Sequence, residues 1–385
     1  MTTLGPHLIV AAGRPPFFGT VETASGRTRA TTALDRSPPS GAFLLAPGFV
    51  DLQINGAFGD DFTDAPESIW EVGSRLGRFG VTAFLPTIIT ASEAKVDRAI
   101  AVFLAGPPSG YRGARALGLH LEGPFLNAAA RGAHEARFLR TPDRSTAERW
   151  ARSGAVRLVT LAPELPGALE VVDILKGPTL AVSAGHSRAT AAEAVGAFDR
   201  GVSLVTHIFN AMPPLHHRAP GLAGAALADD RIAVGLIADR VHVDPMLIKT
   251  IWRAKGGDRV VLVTDAMAAL GSAPGAYTLA GQEVRVDLES ARLADGTLAG
   301  SILTLDQAVR NVRAITGLEL ADILPSASTV PAALIGAPNN PFEGGAQADF
   351  VLLDASGHVV ETWVGGERTF SRRESPPGGD SPRPN

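Results

Sequence analysis

The sequence contains no cysteine, which removes several kinds of site at once. Disulfides, thiolate-bound metals, iron–sulfur clusters and cysteine nucleophiles are all excluded. Any metal site must therefore be built from His, Asp or Glu side chains.

The chain also lacks clusters of Lys or Arg and long apolar runs. Its formal net charge of −4 argues against a dedicated nucleic-acid binder. No stretch approaches about 18 uninterrupted apolar residues. The opening MTTLGPHLIVAAGRPP has neither the basic region nor the apolar core of a secretory signal. We therefore expect a cytoplasmic protein that binds neither nucleic acid nor a membrane.

Short apolar runs alternate with helical patterns through most of the 385 residues. The helical patterns include 67–79, 92–104, 189–198 and 245–255, where apolar residues recur at spacings of three and four. The β-like runs cover 48–53, 81–88, 116–121, 156–161, 180–184, 203–206, 232–237 and 260–263. Eight such strands separated by helices predict a parallel (β/α)8 barrel, an α/β fold with its active site at the carboxyl ends of the strands.

An open doubly wound sheet is the alternative to a barrel. It would need a Gly-rich phosphate loop after an early strand, and the sequence has none there.

Both ends of the chain are β-like. Short runs at 8–12 and 43–45 lie near the start, and ADFVLLDASGHVVETWVGGE near the end predicts a hairpin turning at Ser356-Gly357. We therefore expect residues 1–46 and 341–370 to form a small β-sandwich beside a barrel of residues 47–340. Residues 371–385 have too few apolar side chains to pack, and a disordered tail is expected.

Polar side chains follow six of the eight predicted strands. Buried groups of this kind are costly unless they bind something or pair with one another. In strand order they are Gln53 and Asn55, Glu122, His186, His207, Asp239 and His242, and Asp265.

One carboxylate and two imidazoles, from Glu122, His186 and His207, match a catalytic zinc-type site with an open position for water. Asp265 would be the base beside that water. Any one of these residues could instead cap a helix or close the barrel, as HSRAT after Gly185 illustrates. The combination of residue types makes that explanation much weaker for the whole set.

Ordered motifs from Pro47 to Asn311 resemble the N-acetylglucosamine-6-phosphate deacetylase family of the amidohydrolase superfamily. They are PGFVDLQING, GLHLEGPFLN with RGAHE, VTLAPE, VSAGHSRAT, THIFNAMPPLHHRAPG, IADRVHVDP, LVTDAMAALG and LAGSILTLDQAVRN. The resemblance implies an amidohydrolase barrel with a small β-sandwich. It also implies hydrolysis of the acetamide of N-acetylglucosamine 6-phosphate to acetate and glucosamine 6-phosphate.

The same resemblance assigns roles to individual residues. Glu122, His186 and His207 would be metal ligands, Asp265 the catalytic base and acid, and His134 of RGAHE the donor to the developing oxyanion. The substrate would be bound by Arg218, which suits a phosphate, by the backbone of Asn210 and Ala211, and by His242. Part of the phosphate site can come from a neighbouring subunit in this family, which implies a homodimer.

Gln53 and Asn55 occupy the His-x-His motif that holds the second cation in two-metal amidohydrolases. Amides hold a divalent cation poorly. We therefore predict one divalent ion per subunit, Zn²⁺ first and Fe²⁺, Mn²⁺ or Co²⁺ as alternatives, with the amides at a vestigial second-metal position.

Departures from the family pattern leave other functions open. Arg240, His216 and His217 could shift the preference toward N-acetylgalactosamine 6-phosphate. Another amidohydrolase, such as a D-aminoacylase or cyclic-amidase relative, and a non-catalytic sugar-phosphate regulator are the remaining alternatives.

Overall fold

A computed structural model describes residues 1–11, 13–337 and 340–372. The strands are β1 Thr2–Ile9, β2 Phe17–Ala24, β3 Arg27–Ala33, β4 Leu44–Pro47, β5 Phe49–Ile54, β6 Gly56–Ala57, β7 Asp60–Asp61, β8 Val81–Ile89, β9 Arg115–Ala116, β10 Leu119–Glu122, β11 Val156–Leu161, β12 Ala181–Ala184, β13 Val202–Val205, β14 Ala233–Leu236, β15 Val260–Leu262, β16 Gly275–Leu279, β17 Gln282–Val286, β18 Ala291–Arg292, β19 Phe350–Leu353, β20 Val359–Val364 and β21 Glu367–Ser371.

Most of the strands in the middle of the chain are separated by helices. The helices are α1 Ile69–Arg75, α2 Glu93–Ala105, α3 Arg144–Ser153, α4 Ala168–Leu175, α5 Ala191–Arg200, α6 Gly221–Ala228, α7 Pro245–Lys255, α8 Leu305–Thr316, α9 Leu320–Ala327 and α10 Thr329–Leu334. Short 3-10 turns cover Pro66–Ser68, Leu76–Phe79, Ala128–Ala130 and Ala136–Phe138.

Eight parallel strands form the barrel in the order β5-β8-β10-β11-β12-β13-β14-β15. The chain beyond β15 closes the barrel onto β5. There the Asp265 N–H donates to Gln53 O at 2.8 Å, and the Asn55 N–H donates to Ala266 O at 2.7 Å. This closure confirms the predicted barrel and excludes the open doubly wound sheet.

The helices that cover the barrel begin at side-chain caps. Asp143 accepts the Thr146 N–H at the start of α3, and Asp244 accepts the Met246 N–H at the start of α7, satisfying donors that a helix N-terminus leaves unpaired. Of the predicted helices, 67–79 is α1 with a 3-10 turn on either side, while 245–255 is α7 with the predicted limits.

Both ends of the chain meet in one seven-stranded sheet, ordered β21-β20-β19-β4-β1-β2-β3. The predicted hairpin is β19 and β20, and the Gly357 N–H donates to Asp354 O at 2.9 Å in its turn. Val21 of β2 and Val360 of β20 share one apolar cluster although three strands separate them in the sheet. This arrangement fits the small sandwich expected from the two termini.

The domain limits 1–46, 47–340 and 341–370 stay a prediction. β4 ends at Pro47 in the terminal sheet and β5 begins at Phe49 in the barrel. Most of the tail expected at 371–385 lies outside the described residues, although Ser371 still belongs to β21.

A second, smaller sheet was not predicted. Between β15 and α8 the chain forms an antiparallel sheet of β16, β17 and β18. Its apolar face, including Leu279 and Val284, packs on Ile89 and Met267 near the carboxyl ends of the barrel strands. The sheet therefore covers part of the barrel mouth.

In the part of the chain that the structure describes, none of the helices has both the length and the hydrophobicity that a membrane span requires.

Candidate metal centre and active-site cavity

Three of the predicted site residues have left-handed backbone conformations just beyond their strands. The φ angles are 49° at His186, 27° at His207 and 49° at Asp265. Such conformations cost a non-glycine residue about 1–3 kcal/mol and are concentrated at functional sites. At each of these turns the side chains stop alternating between the two faces of the strand, at the end where the barrel opens. This supports a functional assignment for the residues of this rim.

Glu122, His186 and His207 converge in the barrel mouth. Glu122 Oε1 lies 3.1 Å from His186 Nε2 and 3.1 Å from His207 Nε2, and the two Nε2 atoms are 3.1 Å apart. All three residues are buried. Burial alone would raise the pKa of Glu122, but its contacts with the two imidazoles lower that pKa well below the usual value. The group is therefore a carboxylate at neutral pH.

The hydrogen bonds of this cluster fit a cation at its centre. Ala130 O can only accept, so His186 Nδ1 at 3.0 Å carries the proton and a neutral His186 turns a lone pair on Nε2 inward. That lone pair faces a carboxylate oxygen and a second imidazole nitrogen. Although burial alone would lower the pKa of His207, its hydrogen bond with Glu122 raises that pKa, which favours a proton on His207 Nε2 that a cation could replace. Tetrahedral ligands at zinc bond lengths lie about 3.3 Å apart, close to the separations found here. His207 Nδ1 is buried and has no hydrogen-bond partner among the described residues.

Asp265 lies beside this cluster, with Gln53 and Asn55 holding its carboxylate. Asn55 Nδ2 donates to Asp265 Oδ1 at 2.8 Å, and Gln53 Nε2 donates to the same oxygen at 3.2 Å. Gln53 Nε2 also reaches Glu122 Oε1 at 3.0 Å. Burial, reinforced by the charge of Glu122, raises the pKa of Asp265 to about 6. The two amides thus present N–H groups to carboxylates.

His134 also points its ring into the cluster. Its Nδ1 faces both the backbone N–H of Thr90, at 3.3 Å, and the Thr90 hydroxyl, at 2.8 Å. Because the N–H can only donate, Nδ1 accepts and the proton sits on Nε2, 3.8 Å from Glu122 Oε2. Burial, followed by the neighbouring His186, lowers the pKa of His134 well below its usual value. His134 is therefore a neutral donor aimed into the site.

A cavity of about 430 Å³ opens above these groups. The predicted substrate contacts Asn210, Ala211 and His242 line it. His242 Nδ1 is 2.6 Å from Asp239 Oδ2. Although burial alone would raise the pKa of Asp239, hydrogen bonds from His242 and the backbone lower it. The backbone N–H of Asn210, expected to contact phosphate, instead donates to His207 O at 3.0 Å.

Arg218 is not among the residues that line this cavity of its own chain. It lies in an exposed segment with His216 and His217, whose rings are 4.4 Å apart, and its N–H donates to His216 Nδ1 at 3.3 Å. Arg240 is also exposed, with a φ of 70°. Arg218 therefore lies outside the cavity that the other expected substrate contacts, Asn210, Ala211 and His242, line.

Several groups that shape the site were missed. Thr90 follows the second strand, and Glu164 follows the fourth, within the motif VTLAPE. Glu164 accepts from Ser187 Oγ at 2.6 Å and from Asn127 Nδ2 at 2.9 Å, which ties the loop after His186 to the loop after Glu122. The sequence did offer a signal for both, because each is a polar residue that follows a predicted strand. The roof of the cavity was also missed, and its residues are Leu279, Arg292, Gly296, Thr297, Leu298 and Gly300.

Comparisons with known proteins agree with this arrangement. Residues 44–372 match the model of the amidohydrolase family. The N-acetylglucosamine-6-phosphate deacetylase of Bos taurus is 40% identical over 361 residues, covering 89% of this chain and 87% of that protein. The N-acetylgalactosamine-6-phosphate deacetylase of Escherichia coli O157:H7 is 37% identical over 331 residues, covering 85% of this chain and 88% of that protein.

A solved structure also agrees with this fold and site. A mutant N-acetyl-D-glucosamine-6-phosphate deacetylase of Mycobacterium smegmatis, in complex with N-acetyl-D-glucosamine-6-phosphate, superposes with a TM-score of 0.87 at 32% identity, covering 94% of this chain and 97% of that one. From its barrel, its site and these similarities, the chain belongs to the amidohydrolase family and, within it, to the N-acetylglucosamine-6-phosphate deacetylases.

Proposed function

We propose that the protein hydrolyses the acetamide of N-acetylglucosamine 6-phosphate, releasing acetate and glucosamine 6-phosphate. The observation that carries the proposal is the convergence of Glu122, His186 and His207 beside Asp265 and His134 in one cavity. The deacetylases that this chain resembles over most of its length supply the substrate class.

One divalent ion, Zn²⁺ first, would be held by Glu122, His186 and His207. When bound, the ion supplies a Lewis acid that polarises the carbonyl and makes a water more acidic. The N–H groups that Gln53 and Asn55 direct at the two carboxylates argue against a second ion, because that ion would have to lie where those donors are.

Asp265 is the proposed base and acid. Among the described residues, the side-chain hydrogen bonds to its carboxylate all go to Oδ1, so Oδ2 is the oxygen available to move a proton. It takes the proton of the attacking water as the new carbon–oxygen bond forms. It then returns that proton to the sugar nitrogen as the carbon–nitrogen bond breaks, because an unprotonated amine is a poor leaving group.

His134 is the proposed donor to the acetyl carbonyl oxygen. Its Nε2–H is fixed by Thr90 and buried, so the donor is oriented before the substrate binds. Preorganised donors of this kind stabilise the negative charge that develops on the oxygen.

A homodimer is proposed to complete the phosphate site. Since Arg218 does not line its own chain's cavity, its guanidinium could serve the cavity of a partner subunit. Mixing an inactive Asp265→Asn protein with an Arg218→Ala protein, whose KM for the phosphorylated sugar should be raised, tests this directly. One of the two sites of each hybrid dimer would regain a KM near that of wild type, whereas sites completed within a single chain would keep the raised KM.

Acetate release tests the proposed reaction. Metal-free protein would be supplied with Zn²⁺, Fe²⁺, Mn²⁺ or Co²⁺ and assayed on N-acetylglucosamine 6-phosphate. The same sugar without phosphate is the control for phosphate recognition. No acetate with any ion would favour the non-catalytic binder and contradict the proposal.

The galacto epimer is the second candidate substrate, favoured by the similarity to the Escherichia coli O157:H7 N-acetylgalactosamine-6-phosphate deacetylase. Comparing kcat/KM for the two epimers decides between them. We expect the gluco substrate to be preferred, and a higher kcat/KM for the galacto substrate would reassign the enzyme.

A further inference from the structure

We infer that Thr160 is a positioning residue for the proposed metal site, since it is the hub of a buried hydrogen-bonded belt under all three ligands. The inference rests on the metal site of the proposed function. Thr160 lies on β11, a strand that carries none of the three ligands, and it is not among the residues that line the cavity.

The belt crosses the barrel interior from β10 to β13. Thr160 Oγ1 lies 2.8 Å from His120 Nε2 and 2.8 Å from Thr206 Oγ1. Thr206 Oγ1 lies 2.5 Å from Ser183 Oγ, and His120 Nδ1 is 3.1 Å from Leu52 O. The four side chains of the belt are all buried.

The hydrogen bonds of the belt have one direction. Leu52 O can only accept, so the proton of a neutral His120 sits on Nδ1 and its Nε2 must accept from the Thr160 hydroxyl. Thr160 has then used its only donor and accepts from Thr206, which in turn accepts from Ser183. At the two ends the belt meets further groups, since Ser183 Oγ also lies 3.1 Å from Leu204 O and His120 Nδ1 also lies 3.3 Å from Thr87 Oγ1.

Each proposed ligand has a chain neighbour that contacts Thr160 or is itself a residue of the belt. The Gly123 N–H, next to Glu122, donates to Thr160 O at 3.1 Å. Thr206 directly precedes His207. Gly185, which precedes His186, lies so close that an added Cβ would be 2.9 Å from Thr160 Cγ2 and 2.8 Å from Thr206 Cβ.

This placement indicates that the belt has a role beyond filling the barrel interior. The three ligand atoms lie 3.1 Å from one another at the barrel mouth, and the backbone ladders between neighbouring strands do not by themselves set the geometry of side chains beyond the strand ends. A belt that fixes β10, β11, β12 and β13 relative to one another holds the ligands in place before the ion arrives. Groups behind metal ligands typically change metal affinity about 10–100-fold when they are removed.

Zn²⁺ affinity of the metal-free protein, measured by competition with a chromophoric chelator, tests this role. Thr160→Val keeps the shape of the side chain and removes its hydroxyl, and we expect Zn²⁺ to bind about 10-fold more weakly. Thr160→Ser keeps the hydroxyl and should bind Zn²⁺ within about 2-fold of wild type, far less than the change expected for a lost outer-shell group. The absorption bands of bound Co²⁺ should shift in the Val variant and not in the Ser variant.

Thr82→Val is the matched control. Thr82 is another buried threonine of the barrel, on β8, and its hydroxyl donates to Phe49 O at 3.3 Å, far along the strand from the ligands. This change should lower the melting temperature without changing Zn²⁺ affinity. Equal effects of Thr160→Val and Thr82→Val on Zn²⁺ affinity would overturn the inference, as would wild-type affinity in Thr160→Val.

Ser183→Ala decides the matter if Thr160→Val does not fold. It removes the first donor of the belt, and weaker Zn²⁺ binding supports the inference while unchanged binding overturns it. Because these measurements use the ion alone, they are independent of the substrate. A failure of deacetylation with Zn²⁺ bound normally would overturn the proposed function and leave this inference standing.

Discussion

Replacing His134 by Gln tests the proposed carbonyl donor. The imidazole is 4% exposed, its tautomer is fixed by Thr90, and its Nε2–H points to within 3.8 Å of Glu122 Oε2. Loss of one preorganised donor of this kind costs about 10²–10³ in kcat, or about 2.7–4 kcal/mol of transition-state stabilisation. We expect this loss in kcat, with a smaller change in KM and one equivalent of metal still bound.

The assay is steady-state acetate release at saturating Zn²⁺, with metal content measured on the same samples. Thr90→Val is the companion variant, because it removes the hydroxyl at 2.8 Å from Nδ1 but keeps the backbone N–H that fixes the tautomer. Its kcat should fall less than that of His134→Gln. A loss of less than tenfold in His134→Gln, or loss of the metal, would refute the assigned role.

Three further predictions concern ionisation and substrate binding. The base must be ionised, so kcat/KM should fall about tenfold per pH unit below the pKa of Asp265. That pKa is about 6 without metal and lower beside a cation. An acid limb of the kcat/KM profile with its midpoint above pH 7 would contradict this. Arg218→Ala should raise KM for the phosphorylated sugar much more than for N-acetylglucosamine, and equal effects would contradict its assignment. Burial raises the pKa of Asp51 to about 7, so its stabilising contribution is complete below about pH 4 and is lost as the pH rises through 7. Between pH 5 and pH 8 the free energy of unfolding of metal-free protein, measured in urea, should fall by about 3 kcal/mol less in Asp51→Asn than in wild type. The same pH dependence in both proteins would contradict the assignment.

Local patterns in the sequence were sufficient to predict the barrel and its rim. Apolar runs such as 81–88 are buried along their whole length, as a strand between helices and a barrel interior requires. Because the carboxyl ends of parallel strands share one edge, listing the polar residues after each run was enough to bring Glu122, His186 and His207 together.

Contacts between distant strands could not be read in this way. Thr160 reaches His120 and Thr206 only after the barrel has closed, and nothing in VRLVTLAPE marks its hydroxyl as shared. Likewise, no local pattern shows that Gln53 and Asn55 donate to one oxygen of Asp265, although their being amides excluded strong metal binding.

The missed sheet at the barrel mouth did leave a local signal. Tyr277 and Leu279 alternate with polar residues, as do Val284 and Val286, and a turn at Ala280-Gly281 with positive φ joins the two strands. Arg218 is different, because the contact proposed for it involves a partner subunit, and no pattern within a single chain can reveal such a contact.

The central claim is that Glu122, His186 and His207 hold a single ion beside Asp265. Anomalous diffraction from crystals of Zn²⁺-loaded protein locates the ion directly. We predict one strong peak per subunit, about 2.0–2.2 Å from Glu122 Oε1, His186 Nε2 and His207 Nε2. A second strong peak beside Gln53 and Asn55, or no peak among the three ligands, would contradict the account.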